Sequence, residues 1–173
     1  MPTYYDRKDV PHWLRRKEEG TINFKGVDFH YPSKPDVQVL KDCNIEVANN
    51  QVVALVGHSG SGKSSIIALI ERFYDPDSGQ VLFNKENIKD LDSCWYHQEK
   101  LAIVQQEPAL FSTTVEANIL YGFDRPDLTE DQKYEKMKEA IKLAQCQFIF
   151  DRNLFPDGLQ TEIGERGKSL SGG

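Results

Sequence analysis

A glycine-rich stretch in the first half of the chain combines residue types that suit phosphate binding. Glycines let backbone N–H groups converge on phosphate oxygens, because they have no Cβ and accept positive φ angles. A lysine adds a mobile positive charge for the outer phosphates, and a serine hydroxyl can ligate Mg²⁺. The stretch fits the pattern G-x-x-x-x-G-K-[ST], and its members are Gly57, His58, Ser59, Gly60, Ser61, Gly62, Lys63, Ser64 and Ser65. We therefore predict a site for a nucleotide, with Lys63 on the phosphates and Ser64 on Mg²⁺.

The segments on either side indicate a strand before this stretch and a helix after it. Residues 51–56 are mostly apolar and rich in valine, which predicts a buried strand. Apolar residues between Ile66 and Phe73 are typical of a helix, which would begin near Gly62 and point its free N–H groups at the anion. A chance glycine turn is the alternative, and the order of strand, loop and helix disfavours it.

The remaining pattern predicts a mixture of strands and helices. Residues 1–19 are polar with two prolines, which predicts a linker or arm. Alternation from Ile22 to Phe29 predicts a strand with an irregularity at Gly26. Further strands are predicted at residues 37–40, 43–47, 80–83 and 101–104, the last of them buried in a parallel sheet. Helices are predicted at residues 92–98, 114–120 and 129–146.

The longest predicted helix has a start signal and an apolar face. Thr129 and Gln132 have the spacing of a capping box. The residues that would share its apolar face are Tyr134, Met137, Ile141 and Ala144. We expect this face to be core rather than a binding surface.

Composition and charge disfavour several classes of protein. A formal net charge of −6 over 173 residues argues against nucleic acid as the main partner. The cysteines Cys43, Cys94 and Cys146 have no C-x-x-C spacing, which indicates reduced thiols. No apolar run approaches the roughly 20 residues of a membrane-spanning helix. Work at a membrane would therefore need an anchor from another segment.

Four segments occur in a fixed order along the chain: GTINFKGVDFHYPSKPDVQVL, GHSGSGKSS, IVQQEPALFSTTVEANILYG and TEIGERGKSLSGG. Together they resemble the nucleotide-binding domain of ABC transporters, most closely the exporters. A phosphate loop alone is common to many NTPases, whereas its combination with Q-E-P and L-S-G-G is specific. The resemblance covers residues 20–173 and implies an α/β P-loop NTPase core with an N-terminal antiparallel β-subdomain. It also implies a helical subdomain at about residues 107–170.

The resemblance implies roles for residues outside the loop. Tyr31 matches a tyrosine that stacks on adenine, although its spacing alone is equally consistent with filling its own turn. Gln106 matches a glutamine that reaches Mg²⁺ and the attacking water, with Gln105 as the adjacent competitor. The family also has a signature motif, which corresponds here to Ser171, Gly172 and Gly173. In the family this motif binds the γ-phosphate that is held by the phosphate loop of a second, head-to-tail domain. The implied partners are ATP, Mg²⁺, that second domain and a transmembrane domain.

The match ends at Gly173, inside the signature. The family's next segments carry an Asp that helps hold Mg²⁺, a Glu that acts as general base and a His that senses the γ-phosphate, and we expect this C-terminal part of the core to be missing here. We expect binding to persist better than turnover, and whether this chain is an enzyme stays open. The predicted strands at residues 51–56 and 101–104 would lack neighbours, which predicts a marginally stable or aggregation-prone chain.

The sequence therefore predicts the ATP-binding part of an ABC exporter. ATP hydrolysis in the complete domain would drive transport of a substrate that the sequence does not identify. The expected location is the cytoplasmic face of a membrane, through a transmembrane domain outside this sequence, and otherwise the cytoplasm. The alternatives are a soluble ABC-type ATPase without a membrane partner and a non-catalytic ATP-binding fragment.

Overall fold

The computed structural model describes residues 20–106, 109–123 and 125–164, so the predicted arm at residues 1–19 lies outside it. The chain divides into two compact units, Met1–Leu101 and Ala102–Gly173. The elements described in the first unit are β1 (Ile22–His30), β2 (Gln38–Val47), α1 (Lys63–Ile70), β3 (Ser78–Phe83), β4 (Glu86–Asn87), a 3₁₀ turn (Ile88–Asp90) and α2 (Ser93–Glu99). Those in the second unit are α3 (Val115–Ile119), α4 (Glu130–Leu143) and two 3₁₀ turns (Gln147–Phe150 and Gly158–Gln160).

The four described strands form an antiparallel sheet in the order β2-β1-β3-β4. Strand β1 buries Phe24, Val27 and Phe29. A regular strand would turn residues 24 and 27 to opposite faces, because side chains alternate with period two. Gly26, with φ of 57°, lies at a register shift between them, so both reach the core. The predicted irregularity at Gly26 is confirmed.

Residues 38–47 form one strand, β2, rather than the two strands predicted at residues 37–40 and 43–47. Strand β2 runs through Asp42, which has a positive φ of 44° and interrupts the regular pairing. The Asp28 carboxylate of β1 accepts hydrogen bonds from the Asp42 N–H (2.9 Å), the Gln38 amide (3.1 Å) and the Ser78 hydroxyl (2.8 Å). The Asp28 carboxylate thus links β1 to both β2 and β3 at the irregular part of their pairing. Local sequence patterns do not reveal such contacts between distant residues.

The predicted buried strands at residues 51–56 and 101–104 are absent from the described sheet, so these two predictions are wrong for this structure. Val52 and Val104 are 97% and 96% exposed. An apolar segment becomes a strand only where another strand supplies hydrogen-bond partners. The four described strands pair only among themselves, so both segments present apolar side chains to solvent.

Helices α1 and α2 complete the core of the first unit. Helix α1 contributes Ile66 and Leu69 to the cluster that contains the buried residues of β1. The Asp92 carboxylate accepts a hydrogen bond from the Trp95 N–H at 2.7 Å, which confirms the predicted start of α2. Tyr96 of α2 is 1% exposed and donates from its hydroxyl to the Ile70 carbonyl oxygen at 3.0 Å. Burial raises the pKa of Tyr96 to about 12.

The second unit has its own core around α4. The capping box of Thr129 and Gln132 is present as predicted. Its core consists of Val115, Met137, Ile141, Ile149, Phe155, Leu159 and Ile163. The predicted apolar face of α4 is therefore only partly confirmed, since Tyr134 is exposed and Ala144 lies exposed just beyond the end of the helix.

Candidate nucleotide-binding site

Residues 57–62 form a loop that contacts the side chain of Lys63. The Lys63 ammonium donates hydrogen bonds to the carbonyl oxygens of Gly57 (2.9 Å) and His58 (2.8 Å). It also donates to the Ser61 hydroxyl at 3.3 Å. A bond from the Ser61 N–H to the His58 carbonyl oxygen (3.2 Å) closes the loop. The positive charge is thus held against the loop backbone.

Two glycines allow this loop to form. Gly60 and Gly62 have φ angles of 81° and 86°, a region that other residues rarely adopt. A Cβ at Gly62 would lie 2.8 Å from Cδ2 of Leu40 in β2. Glycine at position 62 therefore serves both the backbone conformation and the close packing of the loop against β2.

The start of α1 lacks the side-chain cap that is common at helix N-termini. Its N-cap is Gly62, no side chain caps its first N–H groups, and its first turn contains no acidic residue. The positive end of the helix dipole is therefore suited to an external anion. Ser64 is exposed in this first turn, whereas Ser65 is buried. His58 and Ser59 are exposed, and Nδ1 of His58 lies 2.8 Å from the Ser59 carbonyl oxygen.

Tyr31 lies immediately after β1, beside the first turn of α1. Its hydroxyl oxygen is 2.9 Å from Oγ of Ser65. Its ring contacts Phe29 and Tyr74, with centroid distances of 4.9 Å and 5.2 Å. Sequence reasoning missed Tyr74, because an aromatic residue after a helix carries no signal for a particular partner. Tyr31 therefore packs against neighbouring side chains, while part of its surface stays accessible to solvent.

The structure places Tyr31 beside Ser65, at the end of residues 57–65, in the first unit. Gln105 and Gln106 are exposed and belong to the second unit. The predicted signature residues Ser171, Gly172 and Gly173 lie outside the described residues. Within residues 20–106, 109–123 and 125–164, no cluster of His, Cys, Asp and Glu is suited to holding a metal ion.

A glycine-rich loop that leads through a lysine into an uncapped helix is the phosphate-binding element of P-loop NTPases. The fold and the site define this chain as a member of that class. None of the helices in the described part of the chain has both the length and the apolar character needed to cross a bilayer.

Comparison with known proteins identifies the family. The family model described as "ABC transporter" matches residues 40–173, so the chain belongs to the ABC transporter family. It is 46% identical over 154 residues to "ABC transporter B family member 1" of Arabidopsis thaliana, which covers 89% of this chain and 11% of that protein. It is 44% identical to "Mitochondrial potassium channel ATP-binding subunit" of Xenopus tropicalis, covering 89% of this chain and 21% of that protein.

A solved structure supports the same fold. The chain is similar to "Structure of a bacterial Atm1-family ABC exporter with ATP bound", with a TM-score of 0.72 and 36% sequence identity. The similarity covers 89% of this chain and 25% of the exporter chain. The chain spans 11% to 21% of the length of the curated relatives it matches.

Proposed function

We propose that residues 57–65 bind the phosphate groups of ATP. The observation that carries this proposal is the position of Lys63, whose ammonium is held by the carbonyl oxygens of Gly57 and His58. Phosphate oxygens can replace these acceptors and interact more strongly, because they are charged. The uncapped start of α1 adds N–H donors and a favourable dipole for the same anion.

Mg²⁺ would be bound by the Ser64 hydroxyl together with phosphate oxygens. This donor set fits the ion, which prefers oxygen ligands, retains water and uses phosphate groups rather than an all-protein cage. Bound Mg²⁺ supplies charge neutralisation at the phosphates. The exposure of Ser64 in the first turn of α1 supports this assignment. Gln106 would orient the attacking water, because its neutral amide both donates and accepts hydrogen bonds.

The base and the γ-phosphate would contact further residues. Tyr31 would stack on adenine, and its partial exposure beside α1 supports this role. Ser171, Gly172 and Gly173 would bind the γ-phosphate on the loop of a second nucleotide-binding domain in a head-to-tail dimer. Small residues suit this task because their backbone N–H groups can approach an anion closely.

The complete protein would be an ABC exporter in which ATP hydrolysis drives transport of a substrate not identified by this sequence. The exporter named among the similar structures and the B-family transporters among the relatives support this assignment. The nucleotide-binding domain would then lie at the cytoplasmic face of a membrane and couple to a transmembrane domain.

Replacement of the lysine tests the phosphate site. In calorimetric titrations with MgATP, we expect Lys63→Ala to weaken binding about 10- to 100-fold, because it removes charged hydrogen bonds to the phosphates. Lys89→Ala is the matched control, since Lys89 is exposed and lies outside the loop in the turn Ile88–Asp90. Equal affinities of wild type and Lys63→Ala would contradict the proposal.

The same titration distinguishes the metal ligand from the phosphate ligands. Wild type should bind ATP more tightly with Mg²⁺ than with a chelator. Ser64→Ala should lose most of this Mg²⁺-dependent gain and retain the metal-free affinity. If Mg²⁺ increased the ATP affinity of Ser64→Ala as much as that of wild type, Ser64 would not be a metal ligand.

A further inference from the structure

Tyr31 is connected to the helix of the phosphate loop through one pair of hydroxyl groups. Its phenolic oxygen lies 2.9 Å from Oγ of Ser65, although 34 positions separate the two residues in sequence. Ser65 is only 4% exposed. A buried hydroxyl without a hydrogen-bond partner is costly. Movement of Tyr31 away from α1 would break this bond at Ser65 and is therefore disfavoured.

Aromatic neighbours confine the ring of Tyr31 as well. Its plane makes an angle of 72° with the ring of Phe29 and 88° with that of Tyr74. Phe29 is itself fixed in the core of the first unit, where it is 1% exposed. The hydroxyl end of Tyr31 is thus held by α1, and its ring is held by two edge-type contacts.

We infer that Ser65 is a positioning residue for Tyr31, holding its ring in the orientation that stacks on the base. This inference rests on the proposed function. A ring that is oriented before the nucleotide arrives does not lose rotational freedom on binding, so binding is tighter. Ser65 follows Lys63 by two positions in α1. The first turn of this helix would therefore position both Tyr31, which contacts the base, and Lys63, which contacts the phosphates.

Two substitutions and two ligands test this link. Tyr31→Phe keeps the ring and removes the hydroxyl, whereas Ser65→Ala removes its partner. Calorimetry would compare ATP with tripolyphosphate, which has the phosphates but no base, both with Mg²⁺. We expect Tyr31→Phe to weaken ATP binding about two- to tenfold and to leave tripolyphosphate binding unchanged. In the Ser65→Ala background, Tyr31→Phe should have no further effect on ATP, because the bond is already lost.

Tyr96→Phe is the matched control for a hydroxyl with a purely structural role. The Tyr96 hydroxyl also binds α1, but at the Ile70 carbonyl at the other end of the helix. This substitution should lower the melting temperature without changing the ratio of ATP to tripolyphosphate affinity. Wild-type ATP affinity in Tyr31→Phe, or additive effects of the two substitutions, would overturn the positioning role and leave the phosphate site standing. A wild-type chain that binds neither ligand would overturn the proposed function itself.

Discussion

Strand β1 and the segment at residues 51–56 are both rich in apolar residues, yet their environments are opposite. Val27 in β1 is 0% exposed, whereas Val52 is 97% exposed. Strand β1 pairs with β2 on one side and with β3 on the other, and residues of α1 pack on its core face. Residues 51–56 belong to no strand of the described sheet. An apolar segment of strand-like sequence is therefore buried in this chain where neighbouring strands and a covering helix are present, as for β1, and is exposed where they are absent, as for residues 51–56.

Amide hydrogen exchange should reveal the largest difference between these two regions. The amides of β1 that pair with β2 or β3 are expected to exchange only when the first unit opens. Those of residues 52–56 should exchange roughly a thousandfold faster or more, because no described strand pairs with them. Mass spectrometry of peptides from both regions measures this difference. Similar protection of the amides in β1 and in residues 52–56 would contradict the expectation that residues 52–56 are unpaired.

A matched pair of valine substitutions measures how much a side chain in each of the two regions contributes to the free energy of unfolding. Val27→Ala should lower the free energy of unfolding by about 2 kcal/mol, because it removes buried methyl groups and leaves a cavity. Val52→Ala should change it by less than about 0.5 kcal/mol, since that side chain is solvated. Urea unfolding followed by circular dichroism gives both values. Equal losses would mean that Val52 is buried in solution.

The smallest expected effect concerns the carboxylate that joins β1 to both of its neighbours. Hydrogen bonds from the Asp42 N–H and then from the Ser78 hydroxyl lower the pKa of Asp28 below its ordinary value of 3.8. The ionised form therefore stabilises the fold above that value, and the stabilisation is lost as pH falls through the lower, folded-state pKa. The midpoint of urea unfolding should fall less between about pH 6 and about pH 3 in Asp28→Asn than in wild type. Identical pH profiles would show that Asp28 does not contribute to the loss of stability at low pH.

Features set by a few neighbouring residues were predictable. The bulge at Gly26, the Asp92 cap of α2 and the capping box at Thr129 follow from local residue chemistry, and all three are confirmed. The predicted separation of residues 37–40 from residues 43–47 is wrong, because β2 runs without a gap from Gln38 to Val47. Its pairing with β1 is irregular between Leu40 and Cys43, where Asp28 accepts a hydrogen bond from the Asp42 N–H. The buried strands at residues 51–56 and 101–104 were wrong for a related reason, since pairing depends on strands that are distant in sequence.

The sequence by itself determined the glycine-rich loop at residues 57–62, because the glycines and Lys63 that shape it lie within a few positions of one another. Only the tertiary structure decided which apolar segments are buried and which partner the Tyr31 hydroxyl has. Both outcomes depend on contacts between distant parts of the chain, as in the pair of Tyr31 and Ser65. Local residue patterns do not encode such contacts, since burial and hydrogen bonding between distant residues arise only when the elements pack together.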